Sequence, residues 1–324
     1  MKKLLLLFLL AGMATLCPLI YQAHAAAFTL GDVFASSNGL IREYTPTGTL
    51  VQTLNTTHPG EGDGLAFDSS GNLYATAGFS ANTVVKFDNT GTLMNPTFGS
   101  GYNSHPESIV IDKTNGVLYV GQPDGTHQVL KFDLNGNPGT PSSFSPAIQN
   151  RGTDWVDLES NLHIIRYTSE GNSVLRYDLA TNTQLPNFAN GLLGPTAYAH
   201  RILADGGELV ADSNRIVRLD SSGNLVKTYT IPGTSLLFAI NLDPDGTSFW
   251  TADYLNHNIF ELNIATGAIE NTFTDGGNGF LGGLAVFGEI TQGGGVGGVP
   301  LPPSVLLFGS GLLGLVGWRR FRKN

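Results

Sequence analysis

The 324-residue chain predicts an all-β fold: a six-bladed β-propeller of four-stranded blades, closed by its own last strand. Three observations carry this. One strand pattern, apolar–x–charged–aromatic or leucine, recurs six times at near-constant spacing. Forty-two glycines and sixteen prolines supply the turns that many short strands need. Hydrophobic residues make up 41% of the chain and charged residues 13%, a balance that fills a substantial core. At about 150 residues per domain the length suggests two units, but an all-β ring takes up such a length as one.

In chain order, the first element is an address. Met1, Lys2 and Lys3 form a basic start, and residues 4–16 form an apolar stretch of secretory length. Ala23-His24-Ala25 offers the small–x–small pattern that signal peptidase requires, so residues 1–25 read as a signal peptide cleaved after Ala25. The apolar run is short and ends at Pro18, which argues against an uncleaved anchor. Cys17 is the single cysteine, so the mature chain has no disulfide and no thiolate metal site.

Residues 26–290 read as the propeller. The recurring strand ends at Tyr44, Phe87, Phe132, Tyr177, Leu219 and Leu262, spaced 42 to 45 residues apart. Each copy alternates apolar and polar at period two, as a half-buried strand does. A Gly- or Asn-bearing turn usually follows, as in Asp88–Gly91 and Asp220–Gly223. A further hairpin precedes repeats two to six, for example Gly64–Asp68 turning into Asn72–Thr76. Four short strands in about 43 residues make one blade. The first repeat lacks its inner strand, and Gly283–Phe287 matches Gly64–Asp68 closely enough to supply it. That sharing would close the ring and remove a sheet edge.

This repeat grammar, carried by Tyr74-Ala75, Tyr119-Val120 and the Lys-Phe-Asp strands over roughly residues 28–289, is similar to NHL-repeat, gluconolactonase-like and streptogramin-lyase-like six-bladed propellers. The resemblance implies the fold. It carries over no set of catalytic residues, and propellers host binding, lyase, hydrolase and scaffold functions alike.

Residues 291–298 are a Gly-rich linker without packing capacity. Residues 299–324 form a three-part tail: the motif Val299-Pro300-Leu301-Pro302, the apolar Gly-rich run Val305–Trp318, and the cluster Arg319, Arg320, Arg322 and Lys323. Fourteen apolar residues as a helix reach about 21 Å, and extension back to Leu301 approaches the roughly 30 Å of a bilayer core. The order of parts resembles the PEP-CTERM sorting signal of Gram-negative bacteria, in its Val-Pro-Leu-Pro variant. The resemblance implies a transmembrane helix that holds the protein in the membrane until exosortase, a membrane protease, cuts near the Pro-rich motif. It also implies export to the cell surface or extracellular matrix and a link to exopolysaccharide or other surface proteins.

The formal net charge is −9, and both ends are basic, so the body between them is more acidic still. Such a body excludes a nucleic-acid binder, which works by neutralising phosphates. It is compatible with cation binding. No nucleophile elbow, zinc-binding helix motif, P-loop or EF-hand loop occurs. Asp243–Gly246 reads as a hairpin turn, and Tyr44, Phe87, Phe132 and Tyr177 as blade packing.

Aligning the blades gives one constellation. Asp63, Glu107, Asp154 and His200, with Phe238 and Gly282, are read as the residues just before each innermost strand, converging at one mouth of the channel. Glu61, His105, Arg151 and Arg201 are close by in sequence, and Trp155 adjoins Asp154 as a candidate for carbohydrate stacking. Two readings stand for this cluster. Propeller mouths are commonly polar because water fills the channel. Alternatively, Asp63, Glu107 and Asp154 hold a hard cation such as calcium, or a raised carboxyl pKa creates a general acid with His200 as base. The sequence thus favours a binding or structural module over catalysis. A metal-dependent hydrolase or lyase of the gluconolactonase-like or streptogramin-lyase-like kind is the alternative.

Overall fold

A computed structural model describes residues 26–291. The expected signal peptide with its Ala25 cleavage point, the linker beyond residue 291, and the tail with Val299, Pro300, Leu301 and Pro302 lie outside the described residues. Among the described residues no helix is long and apolar enough to cross a membrane.

Twenty-four strands form six four-stranded antiparallel sheets, the six blades of the predicted ring. Five blades are continuous meanders whose inner strands are Leu65–Phe67, Ser108–Asp112, Val156–Leu158, Ala197–Ile202 and Leu237–Leu242. We number these blades 2 to 6. Blade 1 is composite: the final strand, Leu281–Val286, lies innermost beside Val33–Ser37, followed by Leu40–Tyr44 and Leu50–Asn55. Register runs Val33↔Val286, Phe34↔Ala285, Ala35↔Leu284 and Ser36↔Gly283. The predicted closure holds, with the strand starting two residues earlier than read from sequence. All six of its residues are buried.

The repeated strand that the sequence pattern marked is the third of each blade, and its aromatic or leucine residue packs between blades. Tyr44, Phe87, Phe132 and Tyr177 are all buried. The turn after it is built by an aspartate. Asp88 Oδ1 accepts the N–H groups of Thr90 and Thr92, both at 2.9 Å, and Gly91 takes φ +85°, a conformation glycine adopts without a steric penalty. Asp243–Gly246 forms the expected hairpin turn, with Gly246 N donating to Asp243 O at 3.1 Å.

Inner strands begin at one end of the channel, called here the upper mouth, and finish at the other, the lower mouth. An aromatic cluster ties the first described residues to the end of the closing strand near the lower mouth. Phe28 meets Phe34, Phe67 and Phe287 at ring distances of 4.7, 5.8 and 5.8 Å, mostly edge to face. Such pairs contribute about 0.5–1.5 kcal/mol each beyond the area they bury.

Candidate functional site at the upper mouth

The register of the inner hairpins fixes which residues are equivalent. Leu65 pairs Ala75, Ile109 pairs Val120, Val156 pairs Tyr167, His200 pairs Val210 and Ile240 pairs Thr251. Two residues earlier stand Asp63, Glu107, Asp154, Tyr198 and Phe238, with Gly282 in the closing strand. The mouth therefore carries three carboxyls on consecutive blades, then two aromatics, then a glycine.

This corrects the reading of His200. It lies inside its strand, next to a register shift between Ala197 and His200 that adds length to this strand. Its ring points elsewhere: Nε2 lies 3.2 Å from Trp155 O and Nδ1 lies 2.5 Å from Glu208 Oε1. Arg201 likewise serves the lower mouth, donating from Nε to Glu289 at 2.8 Å. Trp155 is 2% exposed and packs edge to face on Phe238, so no sugar can stack on it. His105 and Arg151 do join the upper mouth. Counting five residues back from the residue that opens each inner hairpin turn (Asp68, Asp112, Glu159, Leu203 and Asp243) would have found Tyr198.

Asp63 and Asp154 are fully buried and Glu107 nearly so. Neither oxygen of Asp63, neither of Asp154, and not Oε2 of Glu107 receives a hydrogen bond among the described residues. Glu61 stands against Asp63, and Glu107 against Asp154. Burial pushes Asp63 and Glu107 well up, reinforced by neighbouring carboxylates: Glu61 and Asp154 act on Asp63, and Asp154 and Asp63 on Glu107. Burial, then the Glu170 charge, pushes Asp154 up to about 8. Glu61 is raised by burial too. Two carboxyls can adjoin without a donor only by sharing a proton or a cation.

Arg151 supplies a partial answer on one side. It donates to Asp124 at 2.7 Å and to Glu170 at 2.6 Å, and its Nη2 lies 3.4 Å from Glu107 Oε2. His105 Nδ1 lies 2.7 Å from Asp124, on the same rim. Gly282 has a steric role. A Cβ there would fall 1.8 Å from Asp63 Oδ1, so the glycine gives the buried carboxyl its space.

Opposite the carboxyls runs an aromatic ledge that the sequence analysis missed. Tyr198 meets Phe238 at 5.0 Å, Phe238 meets Tyr254 at 4.9 Å, and Tyr254 stacks on Phe280 at 4.7 Å and 6°. Phe280 is 46% exposed, and the Tyr254 hydroxyl faces the Glu61 carboxyl. Among the described residues no three His, Cys, Asp or Glu side chains stand grouped as a ready-made metal shell.

Comparison with known proteins places the fold. The chain is similar to a chain in the crystal structure of the nidogen/laminin complex, with TM-score 0.63 and 14% identity, over 78% of this chain and 97% of that one. It is also similar to the WD40 β-propeller domain of Doa1, with TM-score 0.54 and 13% identity, over 76% of this chain and 79% of that one. At such identities the likeness establishes a β-propeller and nothing finer. No protein-family model matches the chain, and no curated protein sequence does.

Proposed function

We propose that this protein is an exported propeller that works as a binding module at the cell surface or in the extracellular matrix, with its ligand at the upper mouth. One observation carries the reading: buried carboxyls that receive no hydrogen bond border an exposed aromatic ledge. Burying charge without partners is expensive, so the arrangement favours a ligand that brings positive charge. Calcium at Asp63, Glu107 and Asp154 would meet that need through hard oxygen ligands, with water completing a shell that these side chains do not form by themselves. A propeller seen in complex with a protein partner, as in the nidogen/laminin structure, fits such a role.

Export follows in the same reading from signal peptidase cutting after Ala25 and exosortase acting at Val299-Pro300-Leu301-Pro302. Thr291, the last described residue, lies beside the lower mouth. A tether leaving from there turns the upper mouth away from the membrane, toward exopolysaccharide or another surface protein. The hydrolase or lyase alternative draws support from Asp154, which at about 8 keeps its proton at neutral pH and could act as a general acid.

The test is a screen of the full chain against matrix glycans, lactones and calcium, with and without chelator, comparing wild type with Asp154→Asn. Ligand binding lost in the variant is the expected outcome. Binding unaffected by Asp154→Asn sinks the site, and lactone turnover would replace the binding reading by the enzymatic one. For the tail, mass spectrometry of the exported protein is expected to find an N-terminus at Ala26 and loss of residues beyond the Pro-rich motif. An intact tail in a host that has its exosortase would refute that part.

A further inference from the structure

The carboxyls of the upper mouth are not alike. Glu107 has the Arg151 guanidinium 3.4 Å away, whereas neither Glu61 nor Asp63 has an ion-pair partner among the described residues. The pair without a close ion pair is also the one beside the ledge: Tyr254 faces Glu61, and Phe280 lies two residues before the Gly282 that makes room for Asp63. Glu61 is the partly exposed member, so a ligand meets it first, with Asp63 directly behind.

The geometry points to a cationic amino sugar as the ligand, its ammonium at Glu61 in front of Asp63 and the C–H face of its ring on Phe280. This rests on the reading of the upper mouth as the ligand site and names the ligand's chemistry. An ammonium has three donors, no acceptor and a single charge, so it can take the place of the one proton that two adjoining carboxyls otherwise share. A calcium ion wants six to eight oxygens, more than this pair with one phenol supplies. Aromatic faces are electron-rich and attract an ammonium held beside them, a feature for which a bare metal ion has no use. A pyranose ring presents a flat apolar face. Phe280 stacks parallel to Tyr254 within 6° and is 46% exposed, so its free side is a single flat ring face and not the narrow slot that a lysine side chain fills. Few, placed polar groups beside aromatic surface are what orient a small ligand.

The experiment titrates the full chain by calorimetry with four probes: a glucosamine trimer, the N-acetylglucosamine trimer, Nα-acetyl-lysine amide and calcium chloride. The glucosamine trimer is expected to bind at least tenfold more tightly than its acetylated counterpart, because acetylation removes the charge. Glu61→Gln and Phe280→Ala should each lower that affinity about tenfold while circular dichroism shows an intact fold. Both positions are partly open, so neither change disturbs the core. Equal affinity for the two trimers overturns the inference, as does binding that survives Glu61→Gln. Lysine amide bound as tightly as the glucosamine trimer, with no loss in Phe280→Ala, replaces the sugar by a peptide amine and also overturns it. Calcium binding without sugar binding removes this inference and leaves the upper-mouth reading standing. Binding of none of the four removes both.

Discussion

The two mouths of the channel are built from the same six inner strands, yet they treat buried carboxyls in opposite ways. At the lower mouth Glu289 accepts from Arg201 Nε at 2.8 Å, Asn241 Nδ2 at 3.0 Å and Leu242 N at 2.7 Å. Asp157 accepts Leu158 N at 2.8 Å and Ile202 N at 2.9 Å. At the upper mouth Asp63 and Asp154 accept nothing among the described residues. A buried carboxylate with charge-assisted donors stabilises a fold, and one without them strains it. The lower mouth therefore serves closure. Glu289 follows the closing strand and clamps the chain across blades 5 and 6. The upper mouth, relieved of that duty, keeps polar groups unsatisfied where a ligand can satisfy them.

The largest effect should come from breaking the lower end outright. Deleting residues 281–289 removes the inner strand of blade 1 together with the Glu289 clamp, and no cooperative melting transition should remain by circular dichroism. Deleting residues 293–324 should leave the transition where it is. Equal melting of the two truncations would contradict closure by the final strand.

Next in size, Glu289→Ala strips Arg201 of its hydrogen-bonded partner and leaves a buried cation with only the Asp157 charge to compensate it. A loss of about 3 kcal/mol in chemical denaturation is expected, as for other broken buried pairs. The matching change at the other mouth, Asp63→Asn, should cost little or even stabilise, since it removes a buried carboxyl whose oxygens accept no hydrogen bond. If Asp63→Asn proved the more damaging of the two, the contrast between the mouths would be wrong.

Calcium should act at the upper mouth alone. At a hundredfold excess over its dissociation constant it would add about 2.7 kcal/mol to wild type, and nothing to Asp154→Asn. Thermal shift with and without chelator reads this directly.

The smallest and most specific test is pH. Free Asp titrates near 4 and folded Asp154 at about 8, so between these values the native state holds a proton that the unfolded chain has released. Native stability from this group is full below about pH 4 and is lost as pH rises through about 8. In chelator, wild-type stability measured relative to Asp154→Asn should therefore fall across that range. A flat difference would show that Asp154 is not buried as a neutral acid.

Six blades, their third strands and the shared closing strand were legible in the sequence, because strand period and turn chemistry are local properties repeated six times. Asp63, Glu107 and Asp154 were legible as well, since each stands a fixed distance before its hairpin turn. His200 was misplaced by two residues because its inner strand carries a register shift, and such shifts, which recur in blade 6 and at the closing strand, leave no periodic trace in the sequence. Tyr254 and Phe280 belong to connecting loops, where no repeat announces them. Glu289 finds its partners 88, 48 and 47 residues away along the chain.

By itself, then, the sequence determined the ring: short-range alternation, turns every few residues and a spare strand at the end admit one way of burying all the apolar faces. The tertiary structure alone decided which carboxyls are satisfied. Hydrogen bonding and desolvation depend on what lies across the channel, and that is set by closing the ring, not by any neighbour in sequence.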